Sequence, residues 1–316
     1  MSSSAAPRLS VILPTFERPA LLAKAYESLR AQTFQDFEIV IVDDASRDET
    51  PQQIAELAAL DGRVRGLRAE RNGGPGAARN LALAACRGEL VALLDDDDVA
   101  LPERFARQIE LLDRRPEIDF TVSAVGWTDG RGEIFQVRPG VIRRGELPEE
   151  PAALFRYLAL DGNYLPTSAL MARRAALSEA YFLEGVRAGE DWFFFLQLAA
   201  SGKGLATLPE PLVLVLRERG HESLMSDKPR TFEGQRRVLR ELAPWLAGRR
   251  PDLLGLLRPA LAHQYLREAR FWGGARGLGL LLRASLLAPR APRLGETWRF
   301  FAALGRDKLR RLLRRG

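Results

Sequence analysis

Leu90-Val91-Ala92-Leu93-Leu94-Asp95-Asp96-Asp97-Asp98 is an apolar run that ends abruptly in four adjacent carboxylates. The apolar part reads as a strand. In an open α/β sheet the ligand sits beyond the carboxyl ends of the strands, so the acidic cluster stands where a site is expected. At neutral pH four charges a few ångströms apart repel one another. Either they fan into water as an acidic turn ahead of a helix that begins near Pro102, or some share a hard divalent cation through oxygen ligands.

Upstream of this run the chain alternates strand and helix patterns. Leu9 to Leu13 is a short apolar run closed by Pro14, and Pro19 sits in the first turn of a helix with Leu22, Tyr26 and Leu29 on one face. Phe37 to Val42 is a β-branched run that ends in Asp43-Asp44, and Thr50-Pro51 opens a helix from Gln52 to Leu60. Val64 to Leu67 is a weaker strand, the loop Arg71-Asn72-Gly73-Gly74-Pro75 leads into a helix from Gly76 to Cys86, and Gly88 ends it. This spacing predicts parallel βαβ units with right-handed crossovers, hence a doubly wound sheet.

That topology collects polar strand ends on one edge. Thr15 and Glu17 follow the first strand, Asp43 and Asp44 the second, and the four aspartates the fourth. Acidic strand ends beside a glycine-bearing loop suggest a nucleotide site, because a carboxylate accepts hydrogen bonds from ribose hydroxyls or a base N–H. Asp43-Asp44 also reads as a plain turn into a helix. A dinucleotide-binding dehydrogenase is disfavoured, since it needs a glycine fingerprint where this chain has Pro14-Thr15-Phe16-Glu17.

Composition predicts a folded chain: 46% of the 316 residues are hydrophobic and 28% charged. Charge divides it unequally, with 21 Lys/Arg against 6 Asp/Glu, a net +15, over residues 228–316, and 26 against 35, a net −9, before them. An acidic body with a basic tail points the tail at something anionic, either nucleic acid or a lipid surface. Nucleic acid is disfavoured, because the tail lacks interleaved aromatics and any nucleic-acid motif. The one cysteine, Cys86, reads as a small helix residue packed in the core. Met1 to Ala6 lacks the segments of a signal peptide, and with a single cysteine the expected setting is the cytoplasm.

Four segments together carry a resemblance. Ser10-Val11-Ile12-Leu13-Pro14-Thr15-Phe16-Glu17-Arg18, Val40-Ile41-Val42-Asp43-Asp44-Ala45-Ser46-Arg47-Asp48, Asn72-Gly73-Gly74-Pro75-Gly76-Ala77-Ala78-Arg79-Asn80 and Leu93 to Asp98 resemble, in order, the signature of family 2 glycosyltransferases. Gly189-Glu190-Asp191-Trp192 resembles the segment with that family's catalytic base, and Arg217-Glu218-Arg219-Gly220-His221-Glu222-Ser223 resembles its metal segment. The resemblance implies a single Rossmann-like nucleotide-binding sheet of the glycosyltransferase A type with a mixed acceptor-side half. Residues 7–227 would form this domain and residues 228–316 a basic helical C-terminal region.

It also implies roles. Pro14, Thr15, Glu17, Asp43, Asp44 and Arg79 would line the nucleotide, with Asp43 or Asp44 taking the base. Asp95 and Asp97 match the Asp-X-Asp motif, the first near the ribose and the second on a Mn²⁺ or Mg²⁺ ion under the diphosphate. A register of Asp96 and Asp98 is open too. Asp96 is placed on the nucleotide side and is expected to be the most replaceable of the four, with Asp96 and Asp98 alternating away along an extended backbone. His221 joins the metal set, although a lone loop histidine is equally a solvated one. Asp191 is the expected base that takes the acceptor proton, with Glu190 as alternate; both also suit a helix N-terminus.

The implied function is a metal-dependent inverting transfer of a sugar from a nucleotide-sugar donor to a glycan or lipid-linked hydroxyl acceptor, with a non-catalytic sugar-nucleotide binder of the same fold as the rival. Ile118 to Trp127 and Ile134 to Val137 suggest a strand pair beside the main sheet, where Trp127 either stacks on a sugar or is a half-buried aromatic. Asn163 to Ser168 resembles an acceptor-side stretch. His263 receives no role. In the tail, Pro244, Pro251, Pro289 and Pro292 are expected helix breakpoints. Trp298, Phe301, Ala302, Leu309, Leu312 and Leu313 share one helical arc opposite Arg299, Arg306, Arg310, Arg314 and Arg315, an arrangement suited to lying on the anionic inner face of the cell membrane as well as to packing on the body. Donor sugar, base, acceptor and oligomeric state stay open.

Overall fold

The computed structural model describes residues 6–128, 134–138, 147–162, 165–186, 188–216, 228–289 and 294–299. His221 and most of the expected terminal helix, residues 300–316, lie outside these. The first half is the alternating series: β1 (Leu9–Thr15), α1 (Pro19–Arg30), β2 (Phe37–Asp43), α2 (Thr50–Leu60), β3 (Val64–Arg68), α3 (Gly74–Ala85) and β4 (Leu90–Leu93). Then come β5 (Asp98–Ala100), α4 (Arg104–Arg114), β6 (Phe120–Thr128), β7 (Ile134–Arg138), α5 (Pro151–Asp161), β8 (Leu170–Arg173), α6 (Glu190–Ala200) and β9 (Leu205–Leu216). α7 (Lys228–Arg249), α8 (Leu257–Trp272) and α9 (Gly274–Leu287) follow.

Among the described residues one sheet runs β3-β2-β1-β4-β8-β6-β9-β5, with β7 on β6. β1 lies parallel between β2 and β4, and β2 parallel to β3. β8 is antiparallel to both β4 and β6, so the sheet turns from parallel to mixed at β4. Chain order reverses between β1 and β4, which makes their carboxyl ends the switch point where such sheets open a crevice. Register carries the site into that crevice. Thr15 pairs with Asp43, the Asp44 N–H donates to the Thr15 carbonyl at 2.9 Å, and the Leu94 N–H donates to that of Ile12 at 3.0 Å.

Side chains of β1 alternate between two cores. Leu9, Val11 and Leu13 enter one with α1 and α4, and Ile12 enters the other with α3, α5 and α6. α6 is apolar nearly all round, Trp192-Phe193-Phe194-Phe195-Leu196 being wholly buried, as a central helix requires. Val238, Leu239, Leu242 and Leu246 of α7 and Ala260 of α8 join this same core, so the start of the helical region is packed against the sheet domain. α8 and α9 share a separate, smaller core.

The structure departs from the sequence pattern at several elements. The strand pair expected beside the main sheet is part of it, because β6 sits between β8 and β9 and bonds both. The apolar run Leu212 to Leu216, which by itself reads as a strand, is only the second half of β9, which begins at Leu205. Pro209 and Pro211 hid its first half, and the ladder accommodates them by a register shift from Ser123↔Leu208 to Ala124↔Pro211. Pro244 does not break a helix; it lies inside α7. Leu242, Trp245 and Leu246, buried around it, hold the turn together against the lost hydrogen bond. Cys86 is buried as expected, but one residue past α3 in extended backbone.

Opposite the crevice, at the other sheet edge, Glu38 is buried and fully engaged. It accepts from Ser10 Oγ at 2.6 Å, from the Arg87 N–H at 2.8 Å and Arg87 Nε at 2.9 Å, and from Arg65 Nη1 at 2.8 Å. Burial alone would raise its pKa, but these donors hold it down at about 2. A lowered folded pKa means stability present above the unfolded value and lost as pH falls toward 2. Glu38→Ala is expected to cost about 2–3 kcal/mol in urea unfolding at neutral pH, with the deficit shrinking progressively below pH ~4.

Candidate active site

The four aspartates form a tight turn between β4 and β5, closed by the Asp98 N–H donating to the Asp95 carbonyl at 3.1 Å. Because the backbone turns, the alternation expected for an extended run does not hold. One carboxylate oxygen each of Asp95, Asp97 and Asp98 lies within 4.8 Å of the others, while Asp96 points elsewhere. Oxygen donors so gathered fit a hard divalent cation, and Asp95 and Asp97 are two of the three.

The chain supplies its own counter-charges to this turn. Arg18 Nη1 lies 3.3 Å from Asp96 Oδ1 and 3.4 Å from Asp97 Oδ2. Arg79 Nη2 donates to Asp95 Oδ1 at 2.6 Å. Arg104, wholly buried beneath the turn, donates from Nη2 to the carbonyls of Leu93 at 2.8 Å and Leu170 at 3.1 Å. It thereby pins β4 to β8 just before the aspartates. Burial lowers its pKa to about 9, with the charge of Asp98 acting the other way.

Asp96, expected to be the most replaceable, is instead deeply held. It is buried, and Thr15 Oγ1 donates to its Oδ2 at 2.7 Å, tying the turn to the end of β1. Burial pushes its pKa up to about 6; the Thr15 hydrogen bond and Arg18 oppose this, and Asp97 and Asp95 add to it.

Arg79 joins the two halves of the cleft. From one terminal nitrogen it reaches Asp95 and from the other it donates to Glu190 Oε1 at 3.0 Å, while its guanidinium lies 5.3 Å from the centre of the Phe182 ring. Burial alone would lower its pKa, but Asp95 and Glu190 more than offset that and keep it charged. Glu190 and Asp191 open α6, where acids favour the helix dipole. Burial pushes the Asp191 carboxyl well above the usual carboxylate range, the charge of Glu190 adding to it and Arg79 opposing it. Gly189, at φ 98°, turns the chain into this helix through the left-handed region. Behind it α7 comes so close that a Cβ on Gly234 would stand 2.3 Å from the Ala188 carbonyl oxygen.

The other expected nucleotide residues separate. Asp44 faces the cleft and accepts from the N–H groups of Gly73 at 2.9 Å and Gly74 at 2.7 Å. Its pKa is raised by burial despite these bonds. Asp43 is buried behind it, held by Arg68 and by the Ser46 N–H at 2.8 Å, and is not part of the cleft wall. Pro14 and Thr15 line the cleft, whereas Glu17 is exposed with φ 50° outside it. The cleft has a volume of about 620 Å³ and is bounded by the β1 end with Phe16 and Arg18, by Asn72, Gly74 and Pro75, by Asp95 to Asp97 and by Ala188 to Asp191. Thr167 lines it too, and Ser168 Oγ accepts from the Asp95 N–H at 3.0 Å. Arg18 and Ser168 were not assigned roles from sequence, and Asp98 entered only through the alternative register of Asp96 and Asp98. Arg18 and Ser168 stand inside the quoted segments, but nothing local shows that they meet the turn.

Residues 10–179 match the glycosyl transferase family 2 model. The chain belongs to that family. Among similar proteins, the succinoglycan biosynthesis protein ExoO of Rhizobium meliloti is 32% identical over 209 residues, 64% of this chain and 59% of that one. The GalNAc(5)-diNAcBac-PP-undecaprenol beta-1,3-glucosyltransferase of Campylobacter jejuni is 43% identical over 96 residues, 30% of this chain and 31% of that one. The chain thus matches well under two thirds of either relative's length. The structure of S. aureus TarS 1–349 in complex with UDP-GlcNAc superposes with a TM-score of 0.63 at 22% identity, covering 95% of this chain and 92% of that one, which establishes a shared fold.

If Arg79 is the bridge, its loss leaves Asp95 and Glu190 facing each other without it. Arg79→Met is expected to lower unfolding stability by about 3 kcal/mol at neutral pH, and Arg79→Lys, which reaches one carboxylate but not both, by less. Chemical denaturation of both variants checks this order.

Proposed function

We propose that this family 2 enzyme transfers a sugar from a nucleotide-sugar donor to a hydroxyl acceptor, with inversion at the anomeric carbon. The observation that carries this reading is the Arg79 bridge, which holds an acidic helix start, Glu190-Asp191, beside the aspartate turn in one cleft. Two acid groups with different surroundings then serve two ends of one reaction. The nucleotide takes the side walled by Thr15, Phe16, Asp44 and Asn72, and the acceptor takes the side of Thr167 and Asp191.

In this scheme the acceptor oxygen forms a bond to the anomeric carbon while its proton passes to an Asp191 carboxylate oxygen. The bond from that carbon to the diphosphate oxygen breaks, and the electron pair leaves with the diphosphate. Asp95, Asp97 and Asp98 would hold Mn²⁺ or Mg²⁺, which when bound supplies Lewis-acid stabilisation to the departing diphosphate. Arg79 positions Asp95 and Glu190, and Thr15 fixes the turn through Asp96. Arg18 contacts Asp96 and Asp97 and brings positive charge to the mouth of the site. The relatives' names support an acceptor that is a growing polysaccharide or a lipid-linked glycan.

Asp191→Asn is expected to lower turnover by about 10²–10⁴-fold with donor affinity unchanged, measured by transfer assay and donor titration. Undiminished turnover would remove Asp191 from the base role. Because the base must be ionised and its pKa is raised, the acid limb of kcat/KM is expected well above the usual carboxylate range, with activity falling as pH drops through it. A panel of nucleotide sugars is expected to show one donor whose thermal stabilisation requires Mn²⁺ or Mg²⁺ and is lost in Asp97→Asn. Donor binding without either transfer or slow donor hydrolysis would assign the chain as a non-catalytic binder.

A further inference from the structure

α9 is apolar on two arcs. Gly277, Leu280, Leu281 and Ala284 are buried on its inner arc against α8. On the outer arc Leu278, Leu282 and Leu286 stand at i, i+4 and i+8, exposed by 40%, 49% and 85%. Apolar helix faces belong in a core or in lipid, and among the described residues the outer leucines join no core. Scattered exposed leucines need no explanation, but three in register on one helical face form a surface. At 100° per residue Arg283 and Arg276 fall together along one edge of this stripe. On the other edge the Trp298 indole, 38% exposed, donates to Ser285 Oγ at 3.3 Å, and the exposed Arg299 follows it.

Charge decides what such a face fits. Gly274 to Leu287 contains no acidic residue, and the region from 228 onward carries 21 Lys/Arg against 6 Asp/Glu. A second copy meeting it through the same face would set like charge against like. An anionic lipid surface offers the complement to both features: the leucines enter the acyl boundary, the arginines stay among the headgroups, and the tryptophan sits at the interface. No described helix is long and apolar enough to cross a membrane, so this contact would lie on the surface. We propose that the outer face of α9, with Trp298 at its edge, docks on an anionic bilayer. This surface is separate from the cleft, and the proposal holds whatever the cleft transfers.

The test is flotation of the full chain with vesicles of phosphatidylcholine alone and of phosphatidylcholine mixed with phosphatidylglycerol. The chain is expected to float with the mixed vesicles, to be recovered at least about tenfold less with the neutral ones, and to be released as salt is raised. Leu282→Asp with Leu286→Asp is expected to lower recovery by about tenfold or more while the melting temperature and far-UV circular dichroism stay unchanged, since both side chains are exposed. Leu282→Ser with Leu286→Ser serves should the charged pair disturb folding. Absence of flotation overturns the proposal, as does equal binding to neutral vesicles. Flotation that survives both leucine pairs assigns the binding to basic charge elsewhere and removes this face. Self-association in sedimentation velocity that the same pairs abolish gives the face to a second copy instead.

Discussion

A buried guanidinium holds the two halves of this molecule in one cleft. Arg79 stands on α3, in the parallel half of the sheet, and reaches Asp95 at the end of β4 and Glu190 at the start of α6. Those carboxylates are far apart in sequence and would repel at short range. Between them a planar cation with donors on two sides turns repulsion into a bridge, and burial strengthens each contact because little water competes. The proposed chemistry needs Asp191 and the aspartate turn in one cleft, and that bridge ties the two sides together.

The same electrostatic problem explains the turn. Four adjacent aspartates would be costly in a folded chain, yet each is provided for without an external ion: Asp95 by Arg79, Asp96 by Thr15 and Arg18, Asp97 by Arg18, and Asp98 beside the buried Arg104.

The helical region is tied to this machinery at its near end and separate at its far end. α7 packs into the core of α6 and presses Gly234 against the backbone that leads to Glu190, so it backs the acidic helix start. The later turns of α8 and α9 form their own small core and leave a leucine face outside. Burial thus falls off along the chain from the sheet outward, and the basic charge lies toward the exposed end.

The alternating series from β1 to β4, and the collection of Thr15, Asp44 and the aspartates on one edge, were legible because each depends on local pattern: β-branched runs, a proline at a helix start, a glycine after its end, and parallel register that follows from connection length. Other features were not legible, since they depend on who lies opposite. β8 is too short to announce itself and exists because β4 and β6 offer edges; β9 contains prolines that a register shift against β6 absorbs; Pro244 survives in a helix because its neighbours are buried. The aspartates' identities were plain, but their separation into three that converge and one that locks onto Thr15 follows from a turn hydrogen bond. By itself the sequence determined that strands would end in carboxylates at a crevice. Which carboxylate faces what was decided by tertiary structure, because charges close in space choose partners by geometry that chain order does not contain.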